Sequence, residues 1–291
     1  MNYTKEYLFN SNSKLKDFNP SFSENYESKK DTQEEFQENI LRLRELQGKL
    51  YAQARHGILI ILQALDAGGK DGVIKHVMSG VNPQGCKIKS FKAPSSEELA
   101  HDYMWRCMKA LPKRGYIGIF NRSYYEEVLI ARVHPRILAS QNLPFFHEKL
   151  HLDKDFWKTR CQDMVNFEKY FINNGFLVLK FFLNVSHDEQ KRRFLSRIDK
   201  PAKNWKFTMS DIEDRKHWDQ YQTAYNEMMT ITSHKAAPWF VIPADKKWYM
   251  RLVISDIIVQ KLESLKLTYP KVSEEHKSDI VKARAILENE D

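Results

Sequence analysis

Residues 57–72 read GILIILQALDAGGKDG, and this stretch decides the fold. Its first nine residues are almost wholly apolar and end in a glycine-rich turn that carries a lysine. An apolar run without alternation is the mark of a strand buried on both faces, as in a parallel sheet. The turn resembles a phosphate loop. Small residues at Ala67, Gly68, Gly69 and Gly72 let backbone N–H groups close around phosphate oxygens, and Lys70 reaches the phosphates themselves. A helix opening near Gly72 points its positive end at the same place. Two positions depart from the usual pattern. Ala64 stands where the first glycine belongs, and Asp71 stands where a magnesium-binding Ser or Thr belongs. The metal ligand therefore moves to a carboxylate, for which Asp66 is the first candidate.

Outward from this stretch, strand and helix patterns alternate. Asp31 and Glu34 have capping-box spacing ahead of an apolar stripe at Phe36, Ile40, Leu43, Leu46 and Leu50. KIKSFKA (87–93) reads as a strand, and Ser95 with Glu98 opens a helix running through Met108. YIGIF (116–120) is the next strand, and Tyr124–Val133 reads as helix. A long helix follows from His151 to Asn173, stopped by Asn174-Gly175. FLVLKFFLNV (176–185), a basic helix over Ser186–Ile198, APWFVIPA (237–244) and a helix over Lys246–Lys266 complete the series. Such alternation predicts an α/β fold with a parallel sheet, helices on both faces and ligands at the carboxyl ends of the strands. We expect one domain over residues 31–267, with a lid at about 190–218, an N-terminal tail over 1–30 and a C-terminal tail over 268–291.

Composition narrows the classes. Hydrophobic residues at 42% supply a core, and charged residues at 29% suit a solvated surface. No apolar run approaches the ~20 residues that span a bilayer, and the N-terminus lacks a signal-peptide pattern, so a cytoplasmic protein without membrane contact is expected. Cys86, Cys107 and Cys161 are too scattered for a disulfide framework or a zinc knuckle. The net charge of +8 attracts polyanions without choosing among them. Single-strand nucleic-acid binders interleave aromatic and basic residues. Here the aromatics fall in expected strands and helices, which argues against a nucleic-acid partner.

Two further motifs sit at strand ends. The YIGIF strand runs into Asn121-Arg122-Ser123-Tyr124-Tyr125-Glu126-Glu127. A polar residue ending this strand in P-loop kinases faces the metal or the attacking group. Arg122 neutralises phosphate charge. Only one of Glu126 and Glu127 can face the site, and Glu126 is taken. The helix after FLVLKFFLNV carries Lys191, Arg192, Arg193 and Arg197, and places Arg193 and Arg197 on one face. With the Pro/Lys/Trp-rich stretch that follows, it reads as a lid whose closure brings arginines onto a transferring phosphoryl group.

DAGGKDG (66–72), GVNPQGCKIKSFKAPSSEE (80–98), FNRSYYEEVL (120–129) and KRRFLSRIDKPAKNWKF (191–207) together resemble the polyphosphate kinase 2 family over roughly Asp31 to Leu265. The resemblance implies a P-loop kinase-like three-layer sandwich with a central parallel sheet and a helical lid. It implies transfer of the terminal phosphoryl group of inorganic polyphosphate to adenine or guanine nucleotides, reversible, with magnesium or manganese as cofactor. The Asn-Arg-Ser version looks like the class that accepts both AMP and ADP. The family's Walker A positions fall on Asp66 and Lys70, and its Walker B positions on Asn121 and Arg122. Asn in place of Asp at 121 counts against direct metal binding there. The lid arginine falls on Arg193, ahead of Arg192. Lys75, Lys87 and Arg132 are expected to line the polyphosphate groove, ahead of Lys89, Lys92 and Arg136, and His134 before Pro135 is expected to be structural. A homo-oligomer is expected. The alternatives are an ATP-dependent nucleoside or nucleotide kinase and, from another class, a basic nucleic-acid-binding protein.

Overall fold

The computed structural model describes residues 2–144 and 154–290. Its sheet comprises β1 (Leu8–Phe9), β2 (Gly57–Gln63), β3 (Cys86–Ser90), β4 (Ile117–Asn121), β5 (Phe176–Asn184) and β6 (Trp239–Pro243), in the order β1-β6-β5-β2-β4-β3. All pairings are parallel except that of β1 with β6. After β2 the chain places two strands on one side of it and then two on the other. Such a reversal opens a crevice at the carboxyl end of the central strand.

Alternate residues of the strands feed two separate cores. Ile58, Ile60 and Leu62 of β2 pack into one layer with α1 (Gln33–Gln53), α2 (Lys70–Val77) and α7 (Lys247–Glu263). Leu59 and Ile61 pack into the other, with α3 (Lys154–Asn173) and α6 (Trp218–Thr232). This is the sandwich that the family resemblance implied, with helices on both faces as the strand–helix alternation predicts. α4 (His187–Ile198) and α5 (Met209–Lys216) fall in the stretch expected to form a lid, and α8 (Glu274–Glu288) buries no residue. No helix among the described residues is long and apolar enough to cross a membrane.

Several local expectations are adjusted. Asp31 does not cap α1: its carboxylate accepts from the Glu27 and Ser28 amides, and a 3-10 turn intervenes before Gln33. The Ser95–Glu98 capping box forms in both directions, but its helix stops at Ala100, and a separate helical turn covers Trp105–Met108. Asp102 accepts from the Met104 amide between them, so a local side-chain bond competes with helix continuation. The first three residues of the helix expected from His151 lie outside the described residues, and α3 begins at Lys154. The N-terminal segment supplies β1 and the buried residues Tyr3, Tyr7 and Phe9, and the Tyr7 hydroxyl bonds that of Tyr249 at 2.8 Å.

The one charge inside the apolar FLVLKFFLNV strand is Lys180. It is fully buried, and its Nζ donates to Glu168 of α3 at 2.6 Å. Glu168 also accepts from the Tyr124 and Tyr125 hydroxyls, at 2.7 Å each. The pair therefore ties β5, α3 and the turn after β4 together, and it fixes where β4 hands the chain to the site.

Candidate active site

A loop that holds phosphate on its amides must find donors for its carbonyls elsewhere. Every carbonyl from Ala64 to Gly69 has one. Lys70 Nζ donates to Ala64 O at 2.8 Å, and Gly68 N to Leu65 O at 3.0 Å. Gln190 Nε2 donates to Asp66 O at 3.0 Å. Arg193 Nη1 donates to both Ala67 O (2.8 Å) and Gly68 O (3.0 Å), and Val73 N closes on Gly69 O at 3.1 Å. Two glycines are required by space and conformation. A Cβ at Gly68 would meet Ala64 Cβ at 2.5 Å, and Gly69 has φ +111°. Helix α2 opens at Lys70, two residues before Gly72, and no side chain caps it at Gly69. Its first-turn amides are left for a ligand.

Around this loop the structure gathers Asp66, Lys70, Asp71, Asn121, Arg122 and Glu126. Arg122 bridges two carboxylates: Nη2 to Asp66 Oδ1 at 2.5 Å and Nη1 to Glu126 Oε2 at 3.1 Å. Its backbone is strained at φ +63°, the price of turning the side chain back over the loop straight after β4. Burial works against the Asp66 charge, but Arg122 and Lys70 outweigh it and hold the carboxyl below its usual range. Glu126, ahead of Asp66, holds the Arg122 guanidinium firmly charged against burial. Burial, and then Arg122, pull the Lys70 ammonium down to about 8. Asp71 takes Asn121 Nδ2 at 2.9 Å and Lys206 Nζ at 3.2 Å. Of the paired glutamates, Glu126 faces this site. Glu127 turns away to Arg106 and Gln141.

Other expected residues fall elsewhere. Arg193 is not a free lid arginine. Its remaining donors go to Glu189 at 2.6 Å, Ala244 O at 2.5 Å and Asp245 O at 3.3 Å, so the guanidinium is buried and spent on bracing the loop. Arg192 is exposed and paired with Glu189. Arg197, expected on Arg193's face, lies half-buried near Asp211 (3.9 Å), and its charge adds to those that hold Asp66 ionised. Arg132 is taken by Glu227 at 2.6 Å. Lys87 sits on edge strand β3 opposite Gly118, and Lys75 is exposed on α2. His134 bonds Asp214 at 2.7 Å. A cavity beside the loop is lined by Asp66, Arg122, Glu126, Arg215, Trp218 and Tyr221, among others. Arg215, Gln190 and Lys206 carry no local sequence signal; only the fold brings them here.

No three His, Cys, Asp or Glu side chains among the described residues could enclose a metal ion. The loop offers carboxylates singly. That suits a small hard cation that keeps water and takes the rest of its shell from substrate phosphates, and it excludes a dedicated protein cage.

Comparison with known proteins fits this geometry. A family model described as Polyphosphate kinase 2 matches residues 26–270. The chain is 49% identical over 259 residues to the ADP-polyphosphate phosphotransferase of Rhodopseudomonas palustris, covering 89% of each chain. It is 45% identical over 230 residues to the AMP/ADP-polyphosphate phosphotransferase of Meiothermus ruber, covering 79% of this chain and 80% of that one. The crystal structure of polyphosphate kinase 2 from Arthrobacter aurescens superposes with a TM-score of 0.87 at 34% identity, covering 97% of each chain.

Two outcomes are expected. If Lys70 captures phosphate as the ammonium, kcat/KM should fall as pH rises through about 8, where the free enzyme loses that proton. The limb in kcat should lie higher, because a bound phosphate favours the charged form. A kcat/KM profile without a bend near pH 8 contradicts this. Second, Arg193→Lys cannot reach all its carbonyls, so it should lower the urea midpoint as well as turnover, by about 3 kcal/mol of stability. Wild-type stability with crippled turnover would instead make Arg193 a transition-state contact.

Proposed function

The chain belongs to the polyphosphate kinase 2 family, a family of enzymes that move phosphoryl groups between polyphosphate and nucleotides, and we propose that it accepts both AMP and ADP. The observation that carries this reading is the convergence of Lys70, Arg122 and an uncapped helix N-terminus on one loop whose carbonyls are all satisfied. Little covalent chemistry falls to the protein in phosphoryl transfer. It positions the reactants and stabilises charge.

Each residue has a place in that task. The loop amides and Lys70 hold the phosphates that flank the transferred group. Arg122, aimed by Asp66 and Glu126, neutralises charge on the group in flight. Arg197 and Arg215 reach the site from the lid side and exclude water as the lid closes. Magnesium, or manganese in its place, would be held by Asp66 with Asp71 as a second carboxylate. When bound, such a cation neutralises phosphate charge and orients the reacting oxygens. Asn121 donates to Asp71 and holds it in place. The cavity bearing Trp218 and Tyr221 is the place for the nucleoside.

The polyphosphate track is better carried by a different set of cations from Lys87 and Arg132. Arg251 lies beside Gly72, 3.5 Å from where a Cβ there would stand, and its buried Nε has no hydrogen-bond partner among the described residues. Burial, and then Arg193, hold its guanidinium below the usual range. Burial, and then Arg251 and Lys75, do the same to His76. Lys247 likewise feels burial first and then Arg193, with Lys203 and Arg251 adding to it against the opposing charge of Glu189. Cations gathered with Glu189 as the acidic residue among them suit a long polyanion.

Purified protein with long-chain polyphosphate and magnesium should form ADP and ATP from AMP, and ATP from ADP. Phosphorylation of a nucleoside by ATP, with no product from polyphosphate, would overturn the reading. Arg251→Met should raise the KM for polyphosphate about tenfold, as expected for one lost charge-assisted contact, and leave the nucleotide KM near wild type. An equal effect on both would remove Arg251 from the track.

A further inference from the structure

Beyond α4, the lid segment reaches the helix that opens the phosphate loop through an exposed ion pair. Lys206 follows the short helical turn Pro201–Asn204, and its Nζ reaches Asp71 Oδ2 at 3.2 Å. The other oxygen of Asp71 accepts from Asn121 Nδ2 at 2.9 Å. Three segments far apart in sequence, the loop helix, the end of β4 and the lid, therefore meet on one carboxylate. That carboxylate stands in the first turn of α2, where substrate phosphates must come, and its charge opposes theirs. The local choices offset it. An amide at 121, in place of a second carboxylate, donates to Asp71, and Lys206 supplies the opposite charge. Burial works against the Asp71 carboxylate, but the bonds from Lys206 and Asn121 hold it below its usual range.

The pair is weak by position. The Asp71 side chain is 69% exposed and that of Lys206 37%, and exposed ion pairs contribute little. The lid segment around it is lightly held. Residues 200–206 are all exposed, and neither the turn Pro201–Asn204 nor α5 buries a residue. A closed lid held this way is one side of a shallow equilibrium. A phosphate seated on the loop presents more charge and more acceptor oxygens than Asp71 and takes the ammonium from it.

We propose that Lys206 is the phosphate-reading residue of the lid: without substrate it rests on Asp71, and it transfers to a substrate phosphate when the loop is filled, so that occupancy replaces a weak latch with a stronger hold on the lid. This rests on the reading of the loop as a nucleotide-phosphate site. Lys206 is then a positioning residue in the empty protein and a substrate contact in the filled one.

Hydrogen exchange of residues 199–208 tests it in wild type, Lys206→Met and Asp71→Ala, with and without saturating ADP. Magnesium is left out, so that Asp71 cannot act through the cation. Without ADP, both variants should exchange faster than wild type, because either change breaks the pair. With ADP, Asp71→Ala should regain wild-type protection, since Lys206 can still reach the phosphates, and Lys206→Met should not. Lys206→Met should also raise the nucleotide KM about tenfold, the size of one charge-assisted contact. Equal exchange in all three proteins without ADP overturns the latch. Full recovery of Lys206→Met by ADP overturns the transfer to phosphate. Failure of wild type to bind ADP in calorimetry overturns the functional reading and the transfer with it, while the ADP-free exchange still decides the latch.

Discussion

A loop that offers its N–H groups to an anion must face its carbonyls into the protein, and unpaired carbonyls there are costly. The site rests on how this chain meets that constraint. Three side chains from two helices and two backbone amides satisfy the carbonyls of residues 64–69 in full. Arg193 does the most. It joins two loop carbonyls to two from the segment after β6, and Glu189 balances its charge. The phosphate loop is thereby clamped to the far half of the sheet, and its shape exists before any substrate arrives. Preorganisation of this kind is what lets fixed dipoles stabilise charge in a transition state without reorganising.

The same requirement explains how much of the molecule was legible in its sequence. The buried strand, glycine turn, lysine and helix of residues 57–77 follow from local chemistry and appear as expected. The two-faced strands show in their unbroken apolar runs, and the lone Lys180 among them has a buried partner at Glu168. Donor commitment over long separations left no such trace. A guanidinium on a basic helix looks the same whether it is free or spent. Arg193 is spent on carbonyls some 50 and 125 residues away, and Arg132 on Glu227, 95 residues on. Lys206 is one of three lysines at positions 200, 203 and 206, and nothing in the sequence sets it apart as the one that reaches Asp71.

Adjacent residues also divide in ways that only the fold decides. Glu126 aims Arg122 at the loop, while Glu127 joins Arg106 and Gln141 beside a second cavity. The strained backbone at Arg122 makes the difference, because it turns the chain sharply as β4 ends. Asn121, Asp71 and Lys206 form a set in the same sense. Each departs from the common phosphate-loop pattern or lies outside it, and each is intelligible from the other two.

The central claim is that the loop is shaped by its braces and not by its ligand. Nitrogen-15 relaxation dispersion at the Gly68 and Gly69 amides of the substrate-free protein tests it most directly, because it reports exchange between conformations on the microsecond-to-millisecond scale. The account predicts flat profiles at both glycines, unchanged by ADP, with exchange confined to the lid around residues 199–208. Strong dispersion at Gly68 and Gly69 that vanishes only when nucleotide binds would show a loop ordered by its substrate and would contradict the account.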